Sequence, residues 1–206
     1  QDNHGASMPA TANMNLAAVS DAAVISGQDS ANVKEDTNIK SGQLEAAGQL
    51  TIVDPDAGEE HFIAETRSTS TGTFDLKSDG AWTYSADNSQ RNIQALGDGE
   101  KFTDSFWARS PDGGHHRVSV VITGTNDDPT VSGGVTLHAG TEDSNITLHT
   151  NDLLANATDA DVNDRLSIDN LHASHGAIVD NHNGTYTFTP AKDYNGPVTF
   201  TYDVQD

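Results

Sequence analysis

Residues 72–87 read GTFDLKSDGAWTYSAD and decide the fold class of the chain. Phe74 and Leu76 alternate with polar residues before a Ser-Asp-Gly turn, and Trp82 and Tyr84 alternate with them after it. An apolar period of two, interrupted by a turn, is typical of a β-hairpin that buries one face. The stretch therefore predicts two paired strands with their aromatic side chains in a core.

The same alternation recurs along the chain and predicts an all-β protein. Residues 116–124 (HRVSVVITG) place three branched apolar side chains on one side, and residues 184–190 (GTYTFTP) place two aromatic ones there. Gly, Asn, Asp or Pro interrupts the pattern at the spacing of about 8–12 residues that β-sandwiches show. Only residues 88–99 (NSQRNIQALGDG) resemble a helix, with a capping Asn or Ser before one short turn and a Gly after it.

An internal duplication predicts two tandem β-sandwich domains. Residues 72–87 align without a gap on residues 176–191 (GAIVDNHNGTYTFTPA). The motif Glu-Asp-x-Asn-Ile occurs at residues 35–39 and again at residues 142–146. A repeated pattern of this kind indicates repeated structural units. The predicted domains are residues 20–126 and residues 127–206.

The two ends of the chain predict a domain pattern that is cut out of phase. Appending residues 3–5 to residues 202–206 gives YDVQDNHG, which has the length of FWARSPDG at residues 106–113 and ends on the same Gly. The sequence that follows continues the parallel through a strand and a polar link. Residues 1–19 are therefore predicted to be the closing strand of a preceding domain, and the second domain is predicted to lack its own C-terminal strand.

The N-terminal strand predicts one kind of partner besides the neighbouring tandem repeats of the same chain. Met14 and Leu16 share one face of this strand, and it could fill the open edge of another copy's second domain. Such a head-to-tail exchange need not close, so it predicts chains that grow with concentration.

The charge balance excludes two classes of partner. The 206 residues include 31 Asp and Glu against 10 Lys and Arg, for a formal net charge of −21. Nucleic acids and anionic membranes are bound through Lys and Arg, so neither is an expected partner. Such an acidic chain is either solvated or binds cations, and the grouping of its acids decides which. The absence of Cys excludes disulfides and thiolate metal sites.

Acidic pairs at matching positions predict calcium sites. Asp54 and Asp56 (VDPD) match Asp159 and Asp161 (TDAD). Residues i and i+2 of an extended strand project to the same side about 6.5–7 Å apart, so each pair can converge on one cation. Ca²⁺ selects about 6–8 hard oxygen ligands, whereas the lack of Cys and of paired His ligands disfavours Zn²⁺.

Further acidic residues accompany each pair. A Glu-Asp couple precedes it, at Glu35 and at Glu142, and a polar link leads into each domain. One domain's Glu, its Asp-x-Asp pair and the link's Asn126 or Asp127 are predicted to cage Ca²⁺ where domains meet. Asp also favours turns, but both sets recur in register. The repeated sets are Glu35, Asp54 and Asp56 in the first domain and Glu142, Asp159 and Asp161 in the second, with Asn126 and Asp127 in the link.

These motifs carry a resemblance to known repeat families. Residues 24–129, including ISGQDSANVKEDTNI, TIVDPDAGEE and VVITGTNDDP, resemble a VCBS repeat. Residues 141–168 (TEDSNITLHTNDLLANATDADVNDRLSI) and those that follow resemble a cadherin-like tandem repeat. Both types are found in giant calcium-dependent RTX adhesins of Gram-negative bacteria, which are exported by type I secretion and attach cells to surfaces, hosts or each other in biofilms.

The resemblance implies an extracellular, cell-surface extender made of immunoglobulin-like sandwiches that Ca²⁺ stiffens between domains. It implies the Glu and Asp-x-Asp positions as ligands, which the spacing indicates separately. The first link reads SDAA where the family has an Asn-Asp pair, so the site that uses Asp21 is expected to be the weaker one.

Other functions have less support in the sequence. The chain has no G-x-S-x-G elbow, no H-E-x-x-H motif and no phosphate-binding Gly loop, so an enzyme is not expected. The rival class is a glycan- or peptide-binding module. Trp107 is its candidate contact residue, since it aligns with an outward position, whereas Trp82 is expected in the core. His115 and His116 face opposite ways on a strand, which is poor geometry for chelation.

Overall fold

The computed structural model describes residue 5, residues 8–17 and residues 19–206. In this part of the chain it contains fifteen strands and two helices of four residues each. Residues 8–17 form neither helix nor strand, and every one of their side chains is exposed. Seven residues of the predicted closing strand lie outside the described residues, namely residues 1–4, 6, 7 and 18.

The first half of the described chain is a sandwich of two sheets. Its larger sheet has the strand order β1-β3-β6-β5-β4, and its smaller sheet has the order β2-β8-β7. Neighbouring strands are antiparallel except for β2 and β8, which run parallel. The elements are β1 (Val24–Gly27), β2 (Ser30–Lys34), β3 (Gln43–Val53), β4 (Glu65–Ser68), β5 (Thr73–Leu76), β6 (Ala81–Asp87), α1 (Arg91–Gln94), β7 (Lys101–Arg109) and β8 (His115–Thr123).

The hairpin predicted from residues 72–87 is β5 paired with β6. Phe74 lies opposite Tyr84 and Leu76 opposite Trp82, and all four side chains are buried. Gly80 closes the turn with φ of 88°, and a Cβ there would come within 2.3 Å of a main-chain oxygen of β3. A glycine is required because the turn packs directly against the neighbouring strand. The alternation in the sequence thus predicted both the strands and their buried face.

The core of the first sandwich lies between the inward faces of its two sheets. The ring of Phe74 packs against Tyr84 at 4.6 Å and against Phe106 on β7 at 4.7 Å, measured between ring centroids. Val118, Val120 and Ile122 of β8 are fully buried opposite them. Strand β8 therefore completes the core of this sandwich.

The second half is a smaller sandwich with less continuous sheets. Strand β10 pairs with β14 and β14 with β13, while β9 pairs with β11 and β12 with β15. The predicted domain boundary between residues 126 and 127 falls in the link between β8 and β9. The elements are β9 (Thr130–Val131), β10 (Ile146–His149), α2 (Thr150–Leu153), β11 (Ala157–Thr158), β12 (Ser167–Ala173), β13 (Gly176–Asp180), β14 (Thr185–Pro190) and β15 (Phe200–Gln205).

The two sandwiches differ in how well their cores are covered. Of the buried hydrophobic side chains, only Leu148, Leu153 and Phe188 belong to the second sandwich in the described residues. Strand β15 aligns with β7, but β12 is its only paired neighbour in this part of the chain, and no counterpart of β8 is paired there. The difference follows from the apolar face that β8 contributes to the first sandwich alone.

Two sequence predictions about helices need correction. The helical turn within residues 88–99 is present as α1, but its N-cap is Gln90, whose side chain makes no capping hydrogen bond. The hydroxyl of Ser89 instead donates to Asp87. The prediction that only this stretch is helical was wrong, since α2 forms a second turn that buries Leu153.

We expect Phe74→Ala to destabilise the first sandwich by about 3–5 kcal/mol, because it opens a cavity among packed aromatic rings. Trp107→Ala is the matched control, since Trp107 also lies in the first sandwich but is 55% exposed, and it should cost less than about 1 kcal/mol. Urea unfolding followed by fluorescence measures both changes. Equal losses in the two variants would contradict the assigned core.

Candidate metal centres

A buried carboxylate lies at the end of the first sandwich where the chain passes to the second. Glu35 directly follows β2, and its amide donates to the Thr123 carbonyl at 2.9 Å, which extends the pairing with β8. Its side chain is fully buried. Oε1 accepts a hydrogen bond of 2.6 Å from the Gln94 amide of α1, and Oε2 accepts one of 3.4 Å from the Thr125 main chain.

Carboxylates from the link and from the second sandwich join Glu35 at this place. Ligand oxygens of Glu35, Asp36 and Asp127 all lie within 4.8 Å of one another. The Asp127 amide donates to Asp161 Oδ2 at 2.8 Å, and the Asp161 amide donates to Asp159 Oδ1 at 2.9 Å. We call these five residues the junction cluster. They come from both sandwiches and from the link between them.

The electrostatics of the junction cluster are unfavourable without a positive charge. Burial raises the pKa of Glu35 to about 7, and the nearby charges of Asp127, Asp36 and Asp161 add to the rise. The pKa of Asp127 is raised for the same two reasons, with burial the larger. Buried oxygens of Asp159 (Oδ2) and Asp161 (Oδ1) have no hydrogen-bond partner among the described residues. Buried, unpaired carboxylate oxygens are costly unless a cation binds them.

A second acidic group lies at the start of the first sandwich. Ligand oxygens of Asp54, Asp56 and Glu59 lie within 4.8 Å of one another. The Asp21 amide donates to Asp56 Oδ2 at 2.7 Å, and the Asp56 amide donates to Asp54 Oδ1 at 2.8 Å. Asp54 Oδ2 and Glu59 Oε2 are buried, and no residue in the described part of the chain forms a hydrogen bond with either. We call this group the leading cluster; it repeats the main-chain contacts of Asp127, Asp161 and Asp159.

The structure groups the predicted ligands differently from the sequence. Glu35 does not lie with Asp54 and Asp56, because β1 begins beside Asp54 and the chain has crossed the sandwich when β2 ends just before Glu35. Glu142 is exposed and is not grouped with Asp159 and Asp161. The structure therefore does not bring these residues together in the sets that the sequence predicted, and which of them bind Ca²⁺ stays a prediction. Each Asp-x-Asp pair lies beside the first strand of its domain. In the first sandwich, the Glu-Asp couple lies after β2, at the other end of the sandwich.

Three further placements concern residues that the sequence singled out or missed. The Asn126 side-chain amide donates to Asp206 Oδ2 at 2.6 Å and to the Asp127 carbonyl at 3.4 Å, and its part in holding Ca²⁺ stays a prediction. Asp36 and Glu59 were not predicted as ligands. Asp36 is next to Glu35 and has a φ of 53°, as its counterpart Asp143 does at 58°. The duplicated Glu-Asp couple was the signal for Asp36; Glu59 has no such signal.

The two tryptophans lie in the environments that the sequence predicts. Trp82 is buried, and its indole N–H donates to the Gln28 carbonyl at 2.7 Å. Trp107 is more than half exposed on β7, with the His115 ring edge-on at 5.1 Å. Its proposed contact with a ligand stays a prediction.

Family comparisons agree with this architecture. A model described as a bacterial cadherin-like domain matches residues 20–124, and one described as a cadherin-like domain matches residues 125–206. The chain belongs to the bacterial cadherin-like family. The predicted fold class is thereby confirmed, as is the cadherin-like part of the resemblance. The VCBS type of the first repeat and the RTX context stay predictions.

Solved structures include distant neighbours. A titin I-band fragment, I67-I69, shares 7% identity with a TM-score of 0.42, over 89% of this chain and 60% of that one. A three-immunoglobulin structure of the same titin domains, an E-to-A variant, shares 9% identity with a TM-score of 0.40, over 88% of this chain and 63% of that one. The chain thus spans less than two thirds of either fragment. No curated protein matches the chain.

Bacterial cadherin-like tandem domains are typical of extracellular adhesion or spacer modules, and they commonly bind Ca²⁺. The acidic clusters described above can hold a metal ion. Neither four-residue helix of the described chain is long enough to cross a membrane.

Glu35 provides a pH-dependent test of the junction cluster. Because its pKa rises from 4.5 to about 7 on folding, the folded chain binds more protons than the unfolded chain between these values. Metal-free stability should therefore fall as pH rises through this window. Above pH 7 in a chelator, we expect Glu35→Gln to be more stable than the parent by about 1–3 kcal/mol.

At pH 4 this advantage should disappear, since the Glu35 carboxyl is then protonated in both states. Thermal and urea unfolding at both pH values measure it. Glu60→Gln is the control, since this substitution removes the same charge from an exposed position. A Glu35→Gln variant that is less stable in chelator at high pH would contradict the account of this cluster.

Proposed function

We propose that this chain is an extender segment of a calcium-dependent, secreted bacterial adhesin of the RTX type. Its sandwiches act as rigid spacers, and Ca²⁺ at the domain junctions sets their relative orientation. The chain has no enzymatic role in this proposal. It lies outside the cell after type I export and supports adhesion and biofilm formation.

The observation that carries the proposal is the junction cluster itself. It offers carboxylate oxygens, which are the hard ligand atoms that Ca²⁺ prefers. Two of them are buried and unpaired, which a bound cation would satisfy. Ca²⁺ would be held by Glu35, Asp36, Asp127, Asp159 and Asp161. The ion supplies positive charge where the chain has placed only negative charge.

The source of the ligands explains why binding would stiffen the chain. Glu35 and Asp36 belong to the first sandwich, whereas Asp159 and Asp161 belong to the second. One ion would therefore fix both bodies at once. Two hydrogen bonds between described residues already join them: the Asn163 amide donates to Glu100 Oε1 at 2.6 Å, and the Val162 amide donates to the Ala95 carbonyl at 3.4 Å. The ion would add charged ligands from both sandwiches to these neutral and singly charged contacts.

We expect Ca²⁺ to raise the melting temperature of the chain and to lengthen it in solution. At a concentration about 100-fold above Kd, binding adds about 2.7 kcal/mol to stability. Calorimetric titration, thermal unfolding and small-angle X-ray scattering, each in Ca²⁺ and in EGTA, measure these effects. Identical unfolding and scattering in the two conditions would rule the proposal out.

A pair of substitutions assigns the effect to the junction cluster. Asp161→Asn should weaken Ca²⁺ binding and remove most of the gain in length, because Asp161 is buried in the cluster. Asp169→Asn removes the same charge from an exposed position of the same sandwich and should leave both unchanged. A titration in which both variants bind like the parent would place the ion elsewhere.

A second candidate function is glycan or peptide binding, and the exposure of Trp107 favours it. Its indole combines a large apolar face with a polar N–H, the combination that enriches tryptophan at binding interfaces. We expect that, if the chain binds glycans through this residue, array binding is lost in Trp107→Ala while folding is retained. Unchanged array binding in that variant, or none in the parent, would leave only the extender function.

A further inference from the structure

A groove lined by apolar and polar groups in about equal measure runs along the side of the second sandwich that no strand covers in the described residues. It has a volume of about 760 Å³ and lies between residues 134–142 and β15. Leu148, Leu153 and Phe188, the buried core of this sandwich, form part of its lining. Residues 132–145 form no strand, and in the described chain the edge of β15 on this side has no paired neighbour. Within the described residues, the groove is therefore an opening that leads to the core of this sandwich.

The first sandwich shows what fills the corresponding place. There β8 lies between β7 and β2, antiparallel to the first and parallel to the second. Its inward side chains, Val118, Val120 and Ile122, are fully buried. The side chains of β15 that match β7 are only partly buried, in keeping with a missing neighbour. A single β-strand with alternating apolar residues is thus the shape that the groove accepts.

Residues 8–17 have the sequence of such a strand. Asp21 and Asp127 make the same main-chain contact to an Asp-x-Asp pair, so they are equivalent positions. Counting back from them by the same number of residues places Ala12, Met14 and Leu16 at the positions of Val118, Val120 and Ile122. Met14 is 82% and Leu16 is 85% exposed. The segment thus has the alternation of a core-covering strand, but in the described chain its apolar side chains pack against no core.

We infer that the groove is a docking site for residues 8–17 of a second copy of this chain, which add to β15 as an antiparallel strand. Main-chain hydrogen bonds along the edge would provide affinity, and the groove would accept the apolar side chains. The register follows from β7 and β8, where Phe102 lies opposite Ile122. It places Leu16 of one copy opposite Val198 of the other, since Val198, two residues before the start of β15, aligns with Phe102.

Docking in this register would also build a metal site, a consequence that rests on the proposed function. The link after β8 carries Asp127 to the Asp-x-Asp pair of the next sandwich, beside Glu35. The link after residues 8–17 carries Asp21 to the leading cluster in the same way. The docked copy would therefore bring its leading cluster to the exposed Glu142 of the first copy. Strand docking and Ca²⁺ binding would then strengthen each other.

Sedimentation velocity of the full chain over a wide concentration range tests the docking. We expect the weight-average mass to rise with concentration, because head-to-tail addition does not close. Met14→Asp with Leu16→Asp should abolish this rise. Asn13→Asp with Asn15→Asp is the matched control, since it adds the same charge to outward positions of the same segment, and it should retain the association.

Disulfide trapping tests the register. Because the chain contains no Cys, only the introduced cysteines can form a disulfide. A mixture of Leu16→Cys and Val198→Cys should form cross-linked dimers on mild oxidation, and Asn15→Cys in place of Leu16→Cys should form far fewer. Equal trapping by both would show an unspecific contact. Cross-linking within one chain of a Leu16→Cys, Val198→Cys double variant that stays monomeric would show that the segment binds its own copy. Either result overturns the inference, as does a parent chain that is monomeric at all concentrations.

Running both experiments in Ca²⁺ and in EGTA separates the two proposals. Association and trapping that persist unchanged in EGTA would support strand docking while contradicting calcium coupling. Ca²⁺ binding by a chain that never associates would support the junction cluster while contradicting strand docking.

Discussion

Mutual repulsion among carboxylates that have lost their water is the constraint on which the junction between the two sandwiches depends. Glu35 is enclosed by α1 and by the link after β8, so it cannot regain solvent without separating them. Asp161 is almost as deeply buried on the other side. A folded chain keeps such a group only where something offsets its cost, and hard oxygens converging from two bodies favour a divalent cation. The energetic cost of these buried carboxylates favours a bound cation more strongly than the number of acidic residues does.

The duplication shows that this arrangement belongs to the architecture of the domain. In both clusters an Asp-x-Asp pair follows a strand that pairs with the opening strand of its sandwich. In both, the main chain of the preceding link donates to the second Asp of the pair. The contact is made by an amide, so it does not depend on the side chain of the link. This explains how SDAA and TNDD can hold the same geometry although their side chains offer different ligands.

The sequence predicted what depends on local periodicity and missed what depends on direction in space. Alternation identified the strands around Phe74, Trp82 and Val118, because a buried face repeats every second residue. It could not show that Glu35 and Asp54 lie at opposite ends of one sandwich, since spacing along the chain does not reveal which ends meet. The turn α2 was missed because Thr150, Asn151 and Asp152 are poor helix formers, and burial of Leu153 holds it in place.

The incomplete core of the second sandwich connects the apolar and the ionic parts of the molecule. Burial of apolar side chains is strong but non-directional, so it would hold a strand in the groove without fixing how the attached domain is turned. Coordination of one ion by carboxylates of two sandwiches is directional, yet without the ion the carboxylates of each ligand set repel one another. Each interaction supplies what the other lacks. A chain that uses a shared strand for cohesion and a shared ion for orientation can lengthen by repetition, because the contacts at one junction recur at the next.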